Sequence, residues 1–329
     1  MTDASRSTRV YAFHGVRICC SCDGAIAAAL DARLGRFPSR PDGPYDLRFE
    51  YGPYEAAGAA SEPTPEGARP IYDADMGEVL YSDASDRVYV SCPGRGRVVC
   101  DLRAGRVDVR RERGPGEDVW LMAHPFFTLA LLESLKRRGL YSVHAAGVAA
   151  GDRILLFPGT SGAGKSTLTL ALLREGFGFL SDDMLFLARG RDGLRALAFP
   201  ESVDVKDDSL RLFPELSDVL GQDPRPGWPK RQVRAEERFG ASVVWEGRPA
   251  ALVFPRVAHA ERSVIEPMDQ GEALQELVPN ILLTEPGSSQ AHLDALAELA
   301  RTCGCYRLET GSDFGEIARQ LRSLPEVRG

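Results

Sequence analysis

The stretch 153–175, RILLFPGTSGAGKSTLTLALLRE, decides the fold. Its first six residues form an apolar run of the length of a buried strand. Ser166 to Glu175 carries leucines at helical spacing and is followed by Gly176, a natural helix stop. Between the two, Gly159-Thr160-Ser161-Gly162-Ala163-Gly164-Lys165-Ser166 fills every fixed position of the phosphate-binding pattern G-x-x-x-x-G-K-[ST]. The glycines let successive backbone amides turn inward around a triphosphate, the lysine reaches the outer phosphates, and the Ser166 hydroxyl can hold Mg²⁺. The helix adds the favourable end of its dipole, and Thr167 in its first turn counts with residues 159–166 among the nucleotide-binding candidates. The chain has only four lysines, at 136, 165, 206 and 230, and 36 of its 40 basic residues are arginine, so a lysine in this slot is informative. ATP, GTP and pyrophosphate all suit such a loop, with Mg²⁺ as the accompanying ion.

A loop of this kind fits ATPases, GTPases, transport motors and kinases alike. The discriminating residues follow the loop helix, where the apolar run Phe177–Leu180 ends in Ser181-Asp182-Asp183. Phosphoryl transfer needs one carboxylate near Mg²⁺ and, for a hydroxyl acceptor, one that takes its proton. An adjacent pair can supply both. His144 precedes the loop on an expected strand from Leu140 to Ala150, which a tight turn at Gly151-Asp152 joins to the loop strand as a hairpin. Two further cations are candidates for phosphate charge: Lys230, in GWPKRQ, and Arg256, just after the strand Ala251–Phe254. A transport motor would carry an LSGGQ-like signature after the loop, and none is present.

The order HAAGVAAGDRILLFPGTSGAGKSTLTLALL…FGFLSDD resembles the catalytic core of the HPr kinase/phosphorylase family and its relatives, which share the PEP carboxykinase type of fold. The resemblance covers about residues 140–325, and AFPESVDVK, ALVFPRV and YRLETGSDFGEIARQL are similar to smaller kinase-like relatives, some of which accompany peptide-modifying enzymes. It implies an ATP- and Mg²⁺-dependent kinase that moves the γ-phosphoryl group to a hydroxyl of a peptide or small molecule. Under it, Lys165 and Ser166 serve phosphate and Mg²⁺, Asp182 accepts the proton, Asp183 binds the metal, and His144 orients a carboxylate or faces the substrate. A homo-oligomer is compatible with the family's assemblies. Thr167 stands where the family places an acidic residue, and the family's C-terminal motif for docking HPr is absent, so HPr itself is not the expected acceptor. The competing class is a nucleotide-binding regulator without transferase activity.

Composition narrows the alternatives. The chain has 329 residues and a net charge of −7, with pI near 5.4, which argues against general nucleic-acid binding. The best candidate for a membrane span, Val119–Leu135, is interrupted by His124, Pro125 and Glu133, and MTDASRSTRV has no apolar signal core, so a cytoplasmic protein is expected. Seven cysteines do not suggest a disulfide framework; Cys19/Cys22 and Cys303/Cys305 are a weak zinc pattern.

Two domains are expected, an α+β or β-rich module over 1–115 and an α/β P-loop kinase domain over 116–329, divided in the charged segment RRERGPGE from Arg110 to Glu117. In the first, Asp23–Leu34 reads as a helix and Val10–Ile18 as a β run, Val88–Cys92, Val98–Leu102 and Val107–Val109 as an antiparallel meander, and Tyr51–Pro70 as a long loop. In the second, a largely apolar helix from Asp118 to about Arg138 precedes the strands already named. Its tail reads as helices at Gly271–Val278, Gln290–Thr302 and onward to Leu324, the last capped by Ser312 or Asp313.

Overall fold

The structure is a computed structural model that describes residues 6–37, 43–54, 67–74, 77–112, 118–221, 230–258, 260–281 and 284–328. The chain is mixed α/β and folds into two units, Met1–Arg138 with Leu282–Gln290, and Gly139–Ile281 with Ala291–Gly329. Among the described residues no helix is long and apolar enough to cross a membrane.

Alternating side chains organise the first unit around an eight-stranded sheet. Along Val16–Cys22 burial strictly alternates, with Ile18, Cys20 and Cys22 inward and Arg17, Cys19 and Ser21 outward. The expected run Val10–Ile18 is in fact a hairpin, Ser7–Phe13 against Val16–Cys22. His14 and Gly15, at φ 44° and 89°, make its two-residue turn, the left-handed pair that matches the twist of the strands. Helix Gly24–Leu34 then crosses over so that Val16–Cys22 and Leu47–Tyr54 run parallel. It starts at Asp23, whose carboxylate accepts from the amides of Ala25 and Ile26 at 3.1 and 3.0 Å, a cap worth about 1 kcal/mol. Strands Arg87–Cys92, Gly96–Asp101 and Arg106–Glu112 form the expected meander. Of the expected loop Tyr51–Pro70, its first four residues complete the strand Leu47–Tyr54 and its last two begin Arg69–Ala74; 55–66 lie outside the described residues.

The helix that follows the expected boundary at residue 115 belongs to this first unit. Phe127 packs on Phe49 with ring centroids 4.8 Å apart, and the Arg33 guanidinium donates to the Ala123 carbonyl and to Thr128 Oγ1. Pro125 interrupts the i−4 ladder, and the chain accommodates it with a π-helical turn over Met122–Phe126 before Phe127–Lys136. Glu133, buried, accepts from Lys136 Nζ at 2.9 Å and from Thr284 Oγ1 at 2.8 Å, and Lys136 also donates to Thr284 at 2.8 Å. That closed triangle satisfies each charge in the interior, where an unpaired one would be prohibitively costly. The first segment of this unit runs to Arg138; residues 113–117 of the expected linker lie outside the described set.

In the second unit the loop hairpin is as expected: Ala145–Ala150 pairs with Arg153–Pro158 across Gly151-Asp152. The strand expected from Leu140 to Ala150 is two strands. Tyr141–Val143 pairs with Leu185–Gly190, whereas Ala145–Ala150 pairs with the loop strand and with Gly178–Ser181. His144 occupies the break, where the chain changes partners. The loop strand runs parallel to Glu246–Val257, which runs parallel to Gly304–Thr310. Helix Lys165–Arg174 is buried on two sides, Leu168 and Leu172 against Phe157 and Ile317, Leu170 and Leu173 against Val203 and Phe213. Gly176, at φ 84°, ends it, with its amide and that of Phe177 donating to Leu173 and Leu172 carbonyls at 3.0 Å. Helix Phe314–Ser323, which a short helix Pro325–Arg328 follows, is capped by Asp313, which accepts from the Glu316 amide at 2.9 Å.

Candidate functional site

The loop geometry follows from its glycines. Gly162 and Gly164 sit at φ 91° and 94°, a region costly for any residue with a Cβ. A Cβ at Gly164 would also lie 3.1 Å from Val257 Cγ2. The chain turns there straight into the helix, whose first residue is Lys165. The lysine is 7% exposed; its ammonium donates to the carbonyls of Gly159 and Thr160 and lies 3.2 Å from His144 Nε2. Burial lowers its pKa from the usual lysine value, while Asp183 and Asp182 oppose the shift.

The two aspartates end strand Gly178–Ser181 but occupy different environments. Asp182 is 7% exposed, and its Oδ2 accepts from Ser166 Oγ at 2.7 Å. Burial pushes its carboxyl up to about 7; the Ser166 hydroxyl pulls it back, and Asp183 adds to the rise. Its Oδ1 and the Thr169 hydroxyl are both buried and fall outside hydrogen-bond geometry, yet Thr169 is near enough to help pull the Asp182 carboxyl back down. Ser166 and Thr169 stand one turn apart on one helix face, so the helix presents two hydroxyls towards this carboxylate. Asp183 is 72% exposed, and its Oδ1 lies 3.5 Å from His144 Nδ1. Lysine can only donate, so His144 Nε2 accepts from Lys165 and Nδ1 carries the proton towards Asp183. Burial lowers the His144 pKa, with Asp183 acting against it and Lys165 with it.

Ser181 fixes the turn that presents the pair, its hydroxyl donating to the carbonyls of Met184 and Phe199. Thr167 faces away from the aspartates and donates to Ser209 Oγ at 2.8 Å, tying the loop helix to the short helix Asp207–Leu210. Ser181, Thr169 and Ser209 were not singled out from sequence. Thr169 was within reach of it, since a hydroxyl three residues after Ser166 shares its face.

Lys230 is close enough for its charge to lower both Lys165 and His144, while its neighbour Arg231 is bound to Asp207 at 2.7 and 3.2 Å; Gly227, Trp228 and Pro229 of the same loop lie outside the described residues. Arg256 is not brought to the site. Its side chain is 64% exposed and reaches Glu276 at 3.5 Å, although the adjacent Val257 lies against Gly164. The structure gives no support to a zinc site. Cys20, Cys22, Cys303 and Cys305 are buried free thiols that burial pushes up, and among the described residues no group of three or more His, Cys, Asp or Glu could hold a metal ion.

The residues present fit a Mg²⁺-nucleotide. Mg²⁺ retains several waters and asks for one or two protein oxygens beside the phosphates, and the Ser166–Asp182 pair, with the spare Asp182 Oδ1, offers that set.

No family model matches the chain, and no curated protein matches it. Among solved structures it is similar to the HPr(Ser) kinase/phosphatase from Coxiella burnetii, at 12% identity and a TM-score of 0.29, over 56% of this chain and 92% of that one. Likeness at this level carries no activity across.

Proposed function

We propose that the second unit is an ATP- and Mg²⁺-dependent phosphotransferase with a hydroxyl acceptor on a peptide or small molecule. What carries the reading is the separation of the aspartates: Asp182 buried and bonded to Ser166 at 2.7 Å, Asp183 open to solvent and facing His144 at 3.5 Å. Hydrolysis and transfer alike need a group that orients the nucleophile, so water and a hydroxyl are told apart by a γ-phosphate label experiment rather than by the first arrangement. A kinase needs a second, exposed carboxylate that an incoming hydroxyl can reach.

The roles follow from position and exchange those expected from the resemblance. Ser166 and Asp182 would hold Mg²⁺, which when bound supplies charge neutralisation for the phosphates. Lys165 shifts its ammonium from the loop carbonyls to phosphate oxygens, and the loop amides orient the triphosphate. Asp183 takes the acceptor proton as the acceptor oxygen bonds to the γ-phosphorus and the bond to the ADP oxygen breaks. His144 Nδ1–H steadies the Asp183 carboxylate, and Lys230 adds positive charge on the phosphate side. Catalysis is then mostly positioning and electrostatics.

Two variants separate the roles. Asp183→Asn binds Mg-ATP within about twofold of wild type in calorimetry and transfers no phosphoryl group. Asp182→Asn weakens Mg²⁺-dependent ATP binding by about tenfold or more, in line with the loss of one charged ligand. Asp183→Asn transferring at the wild-type rate would overturn the assignment.

A further inference from the structure

We infer that the first unit carries a separate binding site for a phosphate-type dianion, on the open face of its eight-stranded sheet. One face of that sheet is closed by side chains such as Leu47, Phe49, Val107 and Val109, all buried. The alternate residues of the same two strands point the other way, and four guanidinium groups gather among them: Arg48, Arg106 and Arg110, with Arg6 leading into the first strand. With Glu50 they line an open cavity of about 330 Å³. Register places them together, since Leu47–Tyr54 and Arg106–Glu112 are parallel neighbours with Arg48 opposite Arg106 and Gly52 opposite Arg110.

The charges there do not balance. Arg6 pairs with Glu50 at 3.0 Å, and Asp108 serves both Arg106 at 3.1 Å and Arg110 at 2.7 Å. Arg48 lies over the Tyr45 ring, 5.3 Å from its centroid, and has no carboxylate partner among the described residues. Among the described side chains, four guanidiniums against two carboxylates leave two positive charges in one concavity of a chain whose net charge is −7. Isolated surface arginines on an acidic protein need no explanation; four converging on a cavity while sharing two acids do. The missing component is a dianion, and the planar fork of arginine suits a tetrahedral oxyanion bound through paired oxygens. The absence of a side chain at Gly52 leaves the room that Arg110 uses: a Cβ there would collide with its guanidinium.

The ligand class is a phosphate or phosphomonoester, free or as a phosphorylated hydroxyl. The test uses the full chain carrying Lys165→Ala, so that the loop does not contribute, titrated calorimetrically with inorganic phosphate and separately with O-phosphoserine. Binding at millimolar affinity or better by either probe, weakened at least tenfold by adding Arg48→Gln and Arg110→Gln, is the expected result, and the tighter probe identifies the source. In an arginine-labelled sample the Arg48 Nε–H resonance, assigned with Arg48→Lys, shifts on saturation, a readout independent of the double variant's folding. The proposal is overturned if the Lys165→Ala chain binds neither probe, if the arginine changes leave affinity within twofold, or if the Arg48 resonance does not move.

Discussion

Replacing Asp182 with asparagine changes the pH dependence of stability in a direction fixed by its surroundings. The folded-state carboxyl titrates at about 7 against an ordinary 3.8, chiefly through burial. A carboxyl raised in this way keeps its proton in the folded chain at pH values where the unfolded chain has lost it. The folded state then binds more protons, so stability falls as pH rises between about 4 and about 7, and the full cost persists above that window. The difference of roughly three pH units, at 1.36 kcal/mol each, puts the cost at about 4 kcal/mol at alkaline pH. By pH 5 about one unit of it is already present, which leaves a change of roughly 3 kcal/mol between pH 5 and pH 8.5. Asparagine can still accept from Ser166 and carries no charge, so it removes this dependence and leaves the contributions of every other group, including the depressed His144, common to both proteins. Urea unfolding of the metal-free wild type and of Asp182→Asn at both pH values should show the variant gaining about 3 kcal/mol relative to wild type on going to pH 8.5. Parallel profiles would refute the reasoning, because they would mean that Asp182 titrates as an exposed aspartate.

Three further outcomes follow from the same geometry. Because Asp182 must be ionised to hold Mg²⁺, Mg²⁺-dependent ATP affinity should rise by up to about tenfold per pH unit below 7 and level off above it, a slope that isothermal titration from pH 5.5 to 8 reads directly. Gly164→Ala places a Cβ at φ 94° and 3.1 Å from Val257 Cγ2, which should cost about 1–2 kcal/mol in unfolding experiments and abolish nucleotide binding. Glu133→Gln leaves the buried Lys136 ammonium without its counter-charge and should destabilise the first unit by about 3 kcal/mol or more in urea, with ATP binding to the folded chain unchanged.

The parts of this architecture set by local chemistry were readable. The strand 153–158, the hairpin at Gly151-Asp152, the helix stop at Gly176 and the cap at Asp313 each rest on a few consecutive residues and fall where the sequence places them. The features that sequence misplaced depend on partners far along the chain. YSVHAAGVAA has no turn residue before Gly147, so nothing in it marks the point at which the strand leaves Leu185–Gly190 for the loop strand, and that change of partner is what sets His144 beside Lys165 and Asp183. His14-Gly15 is a turn signal that the surrounding β-favouring residues concealed. The helix after residue 115 follows the charged segment directly, and Phe49, Arg33 and Thr284, all distant in sequence, are what hold it in the first unit. Asp182 and Asp183 were identified as a pair, but which one turns inward is decided by Ser166 and Thr169 on a packed helix face, and Arg256 is drawn off by a glutamate twenty residues on.

Phosphoryl transfer to a hydroxyl is read by supplying the full chain with Mg²⁺ and γ-labelled ATP, together with mixed serine- and threonine-containing peptides and small polyols. Mg²⁺-dependent, acid-stable label on a hydroxyl acceptor is expected, lost in Asp183→Asn while that variant still binds Mg-ATP. Tight Mg-ATP binding by the wild type with no label on any acceptor would contradict it and identify the chain as a nucleotide-binding regulator.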